Sequence, residues 1–366
     1  MLFDRRLLTH FEWLLPLLAL TVSGMGVATV YSATWEPTVA GLTPFATRQL
    51  VSLVIGVVGM LLVTMFDYRR LERGALLVYL VGLVTVLAVP VLGQVGGGAR
   101  RWIRLGPVSV QSSEIMKVAL VVLLARHFAR QREARVGLRE AIFPLIATAI
   151  PAAAILVQPD LGSAALLGAV AMTMLVLGGV RLRWLAAMVL PVLIAAPFLW
   201  PHLKPYQQKR ILMFVDPDQD PLGAGYHIIQ SKIAVGSGEV WGKGFLQGTQ
   251  NHLNFLPEEH TDFIFSVFAE EWGLVGGVVL MALYLIIIVR GLVVAQGARD
   301  KFGILLALGM TATVFWQVVI NVGMVTGLFP VVGITLPFFS YGGSSLICLL
   351  VGTGLVMNVA MRRFMR

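Results

Sequence analysis

Glu258, Glu259, His260 and Asp262 crowd into the segment NFLPEEHTDFIFSVFAEEWG (254–273), against an apolar run. They sit where a polar stretch of about sixty residues gives way to a membrane span. Ionisable side chains at such an edge are costly to desolvate and tend to face a cavity or a partner charge. Their pKa values can shift there, which suits general acid–base chemistry. The plainer alternative is a solvated acidic edge that stops a helix. Glu270 follows Asp262 on a similar helical face, so Glu270 and Glu271 either line the same cavity or pair with a neighbouring helix. With His252, the cluster is also a candidate ligand set for a divalent cation. No H-E-x-x-H pattern is present and one loop supplies every candidate, which argues against a dedicated zinc site. A loosely held Mg²⁺ or Mn²⁺ shared with substrate phosphates is the cofactor compatible with these residues.

Charges within apolar runs are few. Glu114 and Lys117, in SVQSSEIMKVALVVLL, lie three apart on one helix face and can pair, either as a structural ion pair or near a bound ligand. Asp160 in VQPDLGSA stands at a turn between two spans, where capping the next helix would explain it. Basic residues also gather where topology does not ask for them: Arg100, Arg101 and Arg104 in GGGARRWIRLGP, Lys204, Lys209 and Arg210 in HLKPYQQKR, then Lys232, Lys243 and Arg48. Phospholipid headgroups would account for them; so would an anionic headgroup bound for chemistry, because guanidinium forks match phosphate geometry. The glycine-rich GSGEVWGKGFLQGTQ (236–250) is not a phosphate loop, since Gly238 and Gly242 are too close and Lys243 precedes Gly. It reads as a surface turn. The preceding YHIIQSKIAV (226–235) predicts a short helix lying in the membrane interface, with Ile228, Ile229 and Ile233 apolar.

The elements that must position these groups follow from composition. The chain is 57% hydrophobic and 13% charged, with mean hydropathy +0.84, whereas a soluble domain carries about a quarter charged residues. It reads as an all-α polytopic membrane protein, a single integral domain over 1–366. Ten spans of about twenty residues are expected near 13–32, 48–66, 74–94, 112–128, 141–157, 161–179, 182–200, 263–289, 302–328 and 340–361. Arginines from Arg5 and Arg6 through Arg69, Arg126 and Arg181 to Arg290 and Arg362 fall in alternate connections. The positive-inside rule then puts both termini in the cytoplasm and leaves 201–261 as a long extracytoplasmic loop. The net charge of +9 is thus mostly topology and needs no nucleic-acid partner. Cys348 is the sole cysteine, which excludes an internal disulfide and fits a buried inert thiol.

LNFLPEEHTDFIF, QSSEIMK, VQPDLGSA, RILMFVDP with DPLGAGYHIIQSKIAVGSGEVWGKG, and VVGITLPFFSYGGSS resemble the SEDS family, in order and over essentially the whole chain. Ser112, where the family often has proline, is a departure at a helix start. The resemblance implies a glycosyltransferase that polymerises lipid II at the outer face of the cytoplasmic membrane during cell elongation. It implies a class B penicillin-binding protein and other elongation-complex membrane proteins as partners. Asp262 matches the family's catalytic aspartate and is expected to act as general base. Arg48, Arg101, Lys117 and Arg210 are expected to neutralise the substrate pyrophosphate. Glu114 would orient Lys117, His260 and Thr261 would shape the loop around Asp262, and Asp160 is a further candidate at the substrate site. A lipid II flippase and a non-catalytic transpeptidase scaffold are the alternatives. A flippase has no use for a general base, and a scaffold none for ionisable groups gathered around one cavity.

Overall fold

A computed structural model describes residues 12–35, 41–96, 99–105, 108–131, 137–199, 201, 208, 212, 226–249 and 260–363. Eleven helices are present among them: α1 (Leu14–Ala33), α2 (Pro44–Met65), α3 (Tyr68–Leu92), α4 (Ser112–Ala129), α5 (Leu138–Val157), α6 (Leu161–Leu177), α7 (Leu182–Leu199), α8 (Tyr226–Ser237), α9 (Ile264–Gln296), α10 (Lys301–Val325) and α11 (Gly343–Met361). The ten expected spans map in order onto all of these but α8. Seven are long and apolar enough to cross a membrane. α6 is shorter at 17 residues, and α4 carries Glu114, Lys117 and Arg126.

Helix starts follow from local chemistry. Thr43, Asp67, Asp160 and Asp300 each accept a backbone N–H from the first turn of α2, α3, α6 and α10, satisfying donors that a bilayer would leave stranded. Layering follows from the apolar pattern. α11 and α10 are 83% and 67% buried over their most apolar stretches, against 28% for α2, α3 and α5. The former are therefore the core and the latter the lipid-facing rim, with Val54, Val58, Leu77 and Val84 turned outward.

The connections alternate between two ends. At one end Asn358 of α11 bonds to the carbonyls of Val63 and Phe66, Tyr68 donates to Asp300 at 2.5 Å, and Arg290 holds Glu12. The other end carries everything discussed below.

Three features depart from the sequence expectation. Three strands, β1 (Gln94–Gly96), β2 (Ala99–Leu105) and β3 (Val108–Gln111), form an antiparallel sheet, with Trp102 opposite Gln111 and Ile103 opposite Val110. α8 does not merely lie in the interface: Ile228, Ser231 and Ala234 are buried while Ile233 is exposed, and Ser231 bonds to Ser266 of α9 and the Val325 carbonyl of α10. α9 runs past the expected span and breaks at Gly273 (φ 61°, ψ −162°).

Candidate functional site

Asp262 sits in the turn 260–263 that leads into α9. The turn is stapled from two sides. The Tyr341 N–H donates to the His260 carbonyl at 2.9 Å. From α10, the buried Asn321 Nδ2 donates to the carbonyls of Asp262 at 3.0 Å and Ile334 at 2.7 Å. One amide thereby fixes this turn to the loop 331–342. Gly333 in that loop has φ +73°, and a Cβ there would lie 3.2 Å from Asp262 Oδ2. The missing side chain leaves the half-buried carboxylate its space.

The aromatic part of the site completes the frame. The His260 ring packs 4.5 Å from Phe45 and 5.6 Å from Tyr341, so His260 walls the site. Arg48 is exposed one turn beyond Phe45 on α2, on a neighbouring position of the same face. Beside it the buried Gln49 donates to the Ser340 carbonyl at 2.9 Å and accepts from the Gly342 N–H at 3.3 Å. The start of α2, the 331–342 loop and the Asp262 turn therefore form one hydrogen-bonded unit.

The expected ion pair is present. Lys117 Nζ lies 2.7 Å from Glu114 Oε2, with both side chains nearly fully buried in the first turns of α4. The pair lines a small cavity of about 40 Å³ with Thr313 of α10 and with Cys348 and Thr353 of α11, amid mostly apolar neighbours. Asp160, just beyond, caps α6: Oδ1 accepts from the Ser163 N–H and Oδ2 from Gln111 Nε2, each at 3.1 Å. Arg101 donates to the carbonyls of Gln158 and Pro159. Arg101, Gln111 and Asp160 thus anchor the sheet to the α5–α6 turn. Thr261 is half-buried beside Asp262. Arg210, His252, Glu258 and Glu259 lie outside the described residues.

Glu270 and Glu271 have a definite role that the sequence left open between two alternatives. Glu270 Oε1 accepts from Lys243 Nζ at 2.6 Å and from the Thr249 N–H at 2.9 Å. Glu271 accepts from Ser32 of α1 and from the Leu246 N–H. The break at Gly273 frees backbone groups, and the glycine-rich segment satisfies them. The N–H groups of Lys243 and Gly244 donate to the carbonyls of Glu270 and Glu271, while those of Leu274 and Val275 donate to Glu239 and Val240. Residues 238–249 are therefore a strap bound into the kink, and the helical segment they brace follows directly on the Asp262 turn.

Gly242 makes this close approach feasible, because at φ +80° its Cβ would stand 2.1 Å from the Glu271 carbonyl oxygen. Gly242→Ala is expected to destabilise the protein by more than about 2 kcal/mol, from strain plus displaced backbone. A thermal melt in detergent checks this; an unchanged Tm would mean the strap is not bound as described.

Among the described residues no three His, Cys, Asp or Glu side chains gather as a metal site. Of the five candidate ligands only His260 and Asp262 are described, and His260 is packed as a wall.

The family model FTSW_RODA_SPOVE, described as cell cycle protein, matches residues 12–364. The chain is 43% identical over 319 residues to the peptidoglycan glycosyltransferase MrdB of Escherichia coli strain K12, covering 87% of this chain and 86% of the relative. It is 32% identical over 427 residues to the peptidoglycan glycosyltransferase RodA of Treponema pallidum, covering 97% and 98%. Among solved structures, a chain from a peptidoglycan synthase complex in which polymerisation and crosslinking are coordinated superposes with TM-score 0.83 at 32% identity, covering 97% of this chain and 99% of that one. The rod shape determining protein RodA of Thermus thermophilus superposes with TM-score 0.73 at 30% identity, covering 97% and 98%.

Proposed function

The chain belongs to the FTSW_RODA_SPOVE family of cell cycle proteins, and from that premise we propose that it polymerises lipid II at the outer face of the cytoplasmic membrane. It is a peptidoglycan glycosyltransferase, a multi-pass membrane enzyme that builds β-1,4 glycan strands. Lipid II holds its disaccharide α-linked to undecaprenyl pyrophosphate, so forming a β-1,4 bond inverts the anomeric centre. A single displacement does this with one base and no protein nucleophile.

Asp262 takes the proton from the attacking GlcNAc 4-hydroxyl as the new C1–O bond forms. The bond from C1 to the pyrophosphate oxygen breaks, and its electron pair leaves with undecaprenyl pyrophosphate. That group is already a weak base, so it needs charge neutralisation more than an acid. Lys117, oriented by Glu114, and Arg48, Arg101 and Arg210 supply it. The observation that carries the reading is the placement of Asp262: a half-buried carboxylate on a turn braced by Asn321 and Tyr341, with Gly333 beside it. The crosslinking partner is a class B penicillin-binding protein, acting with other membrane proteins of cell elongation.

Arg48 gives a test of substrate recognition. It is exposed near the start of α2, beside the aromatic wall. Arg48→Gln is expected to raise the lipid II concentration for half-maximal rate about tenfold, the lower end for a charge-assisted contact. Arg48→Lys should restore it only in part, since a point charge does not reproduce the fork. The measurement is a lipid II titration at fixed salt, with polymer resolved on gels and melting followed in parallel. An unchanged titration in a folded Gln variant would return Arg48 to the role of membrane anchor.

A further inference from the structure

Gln317 of α10 is fully buried, and neither its carboxamide oxygen nor its nitrogen has a hydrogen-bond partner among the described residues. Buried carboxamides are otherwise bonded, so each such exception calls for a physical account. Its position supplies one. Gln317 lies one turn after Thr313, which lines the cavity of Lys117 and Glu114. It lies one turn before Asn321, which grips the carbonyl of Asp262 and keeps its own Oδ1 without a partner among the described residues. Positions four apart share a helix face, so Thr313, Gln317 and Asn321 form a polar file from the cavity to the Asp262 turn.

The packing of α4 on α10 sets the level of this file. α4 starts at the end of the bundle where α10 finishes, so the two run antiparallel. They meet closely where a Cβ on Gly309 would touch Val121 at 2.4 Å. One turn outward from that contact brings Lys117 level with Thr313, and both do line the same cavity. A second turn brings Ser113 and Glu114 level with Gln317. Helix register therefore puts the unpartnered carboxamide level with the start of α4, one turn from Thr313 at the cavity and one turn from Asn321, the residue that holds the base.

We propose that Gln317 is a positioning residue whose carboxamide, through water at the outer end of the cavity, links the Glu114–Lys117 pair to Asn321. The link fixes the stance of the Asp262 turn relative to the Lys117 ammonium, the two groups that must act on opposite sides of one anomeric centre. A polar cavity edge with several donors and acceptors is where buried water is held. The inference rests on the reading of Asp262 as general base.

The experiment compares Gln317→Leu and Gln317→Asn with the unaltered chain, each assayed with its crosslinking partner on lipid II. Gln317→Leu loses only water-mediated bonds and no direct one, and it puts apolar volume in a buried place, so Tm should be unchanged or higher. A residue with no functional part would then leave the rate unchanged too. The expected result is a Leu variant with unchanged or raised Tm, about tenfold slower at saturating lipid II, with the half-saturating concentration held within about twofold. The Asn variant keeps a carboxamide that water can still bridge, and it should recover most of the lost rate. A folded Leu variant with normal rate overturns the proposal, and so does an Asn variant as slow as Leu. If the Leu variant fails to fold, Gln317→Met carries the same comparison. Asp262→Asn is assayed alongside: full activity there would defeat the base assignment itself, whereas an inactive Asp262→Asn control with a normal Leu variant defeats only the Gln317 link.

Discussion

Asp262→Asn is expected to lower polymerisation by about 10²–10⁴-fold, the usual contribution of a positioned general base. The substitution keeps size and shape and removes the charge and basicity of the carboxylate. The contacts that hold the turn run through the Asp262 carbonyl, to Asn321, and through the His260 carbonyl, to Tyr341. Those are backbone contacts and survive the change, so melting temperature and partner binding should match the unaltered chain. Rates at saturating lipid II, measured beside a melt, check this. A folded asparagine variant with near-normal polymer yield would remove Asp262 from the chemistry.

Lys117→Met comes next in size, and its effect falls first on the fold. It leaves the Glu114 carboxylate buried without its 2.7 Å partner, and breaking such a pair costs about 3–5 kcal/mol. The double variant Glu114→Gln, Lys117→Met removes both charges. Stability should then recover, because replacing a whole buried pair by neutral groups is often neutral or favourable. Turnover should not recover if Lys117 is, as proposed, the cation that neutralises the leaving pyrophosphate. Melting curves and lipid II turnover on the single and double variants separate the two effects. A double variant with full turnover would reduce the pair to a structural one.

Much of this architecture was legible because a bilayer demands so little variety of it. Twenty-residue apolar runs have to be helices, and Glu114 and Lys117 at i and i+3 had to meet if their helix formed. Asp160 before Leu161–Leu177 caps its helix, as its position after a proline suggested. The rest depends on contacts between distant parts of the chain. The sheet over 94–111 hides in a glycine- and arginine-rich stretch whose short strands carry little alternation. The break at Gly273 looks like any glycine in an apolar run until the strap of 238–249 is seen filling it. Glu270 and Glu271 then turn out to brace the helix that follows the Asp262 turn. Asn321 and Gln49 are uncharged polar residues within spans, yet Asn321 ties the Asp262 turn to the 331–342 loop and Gln49 ties that loop to α2. A polar residue that avoids Lys, Arg, Asp and Glu gives no charge signal, although inside a membrane its hydrogen bonds matter as much.

The central claim is that this chain makes a glycosidic bond and does not merely move or recruit the lipid that carries the sugar. The most direct measurement gives lipid II in detergent to the purified chain together with the class B penicillin-binding protein proposed as its partner, with products resolved on a gel. A ladder of glycan strands, absent from the Asp262→Asn lane, is the expected result. No polymer from a folded, partner-bound wild-type chain that nonetheless carries labelled lipid II across sealed vesicles would contradict it.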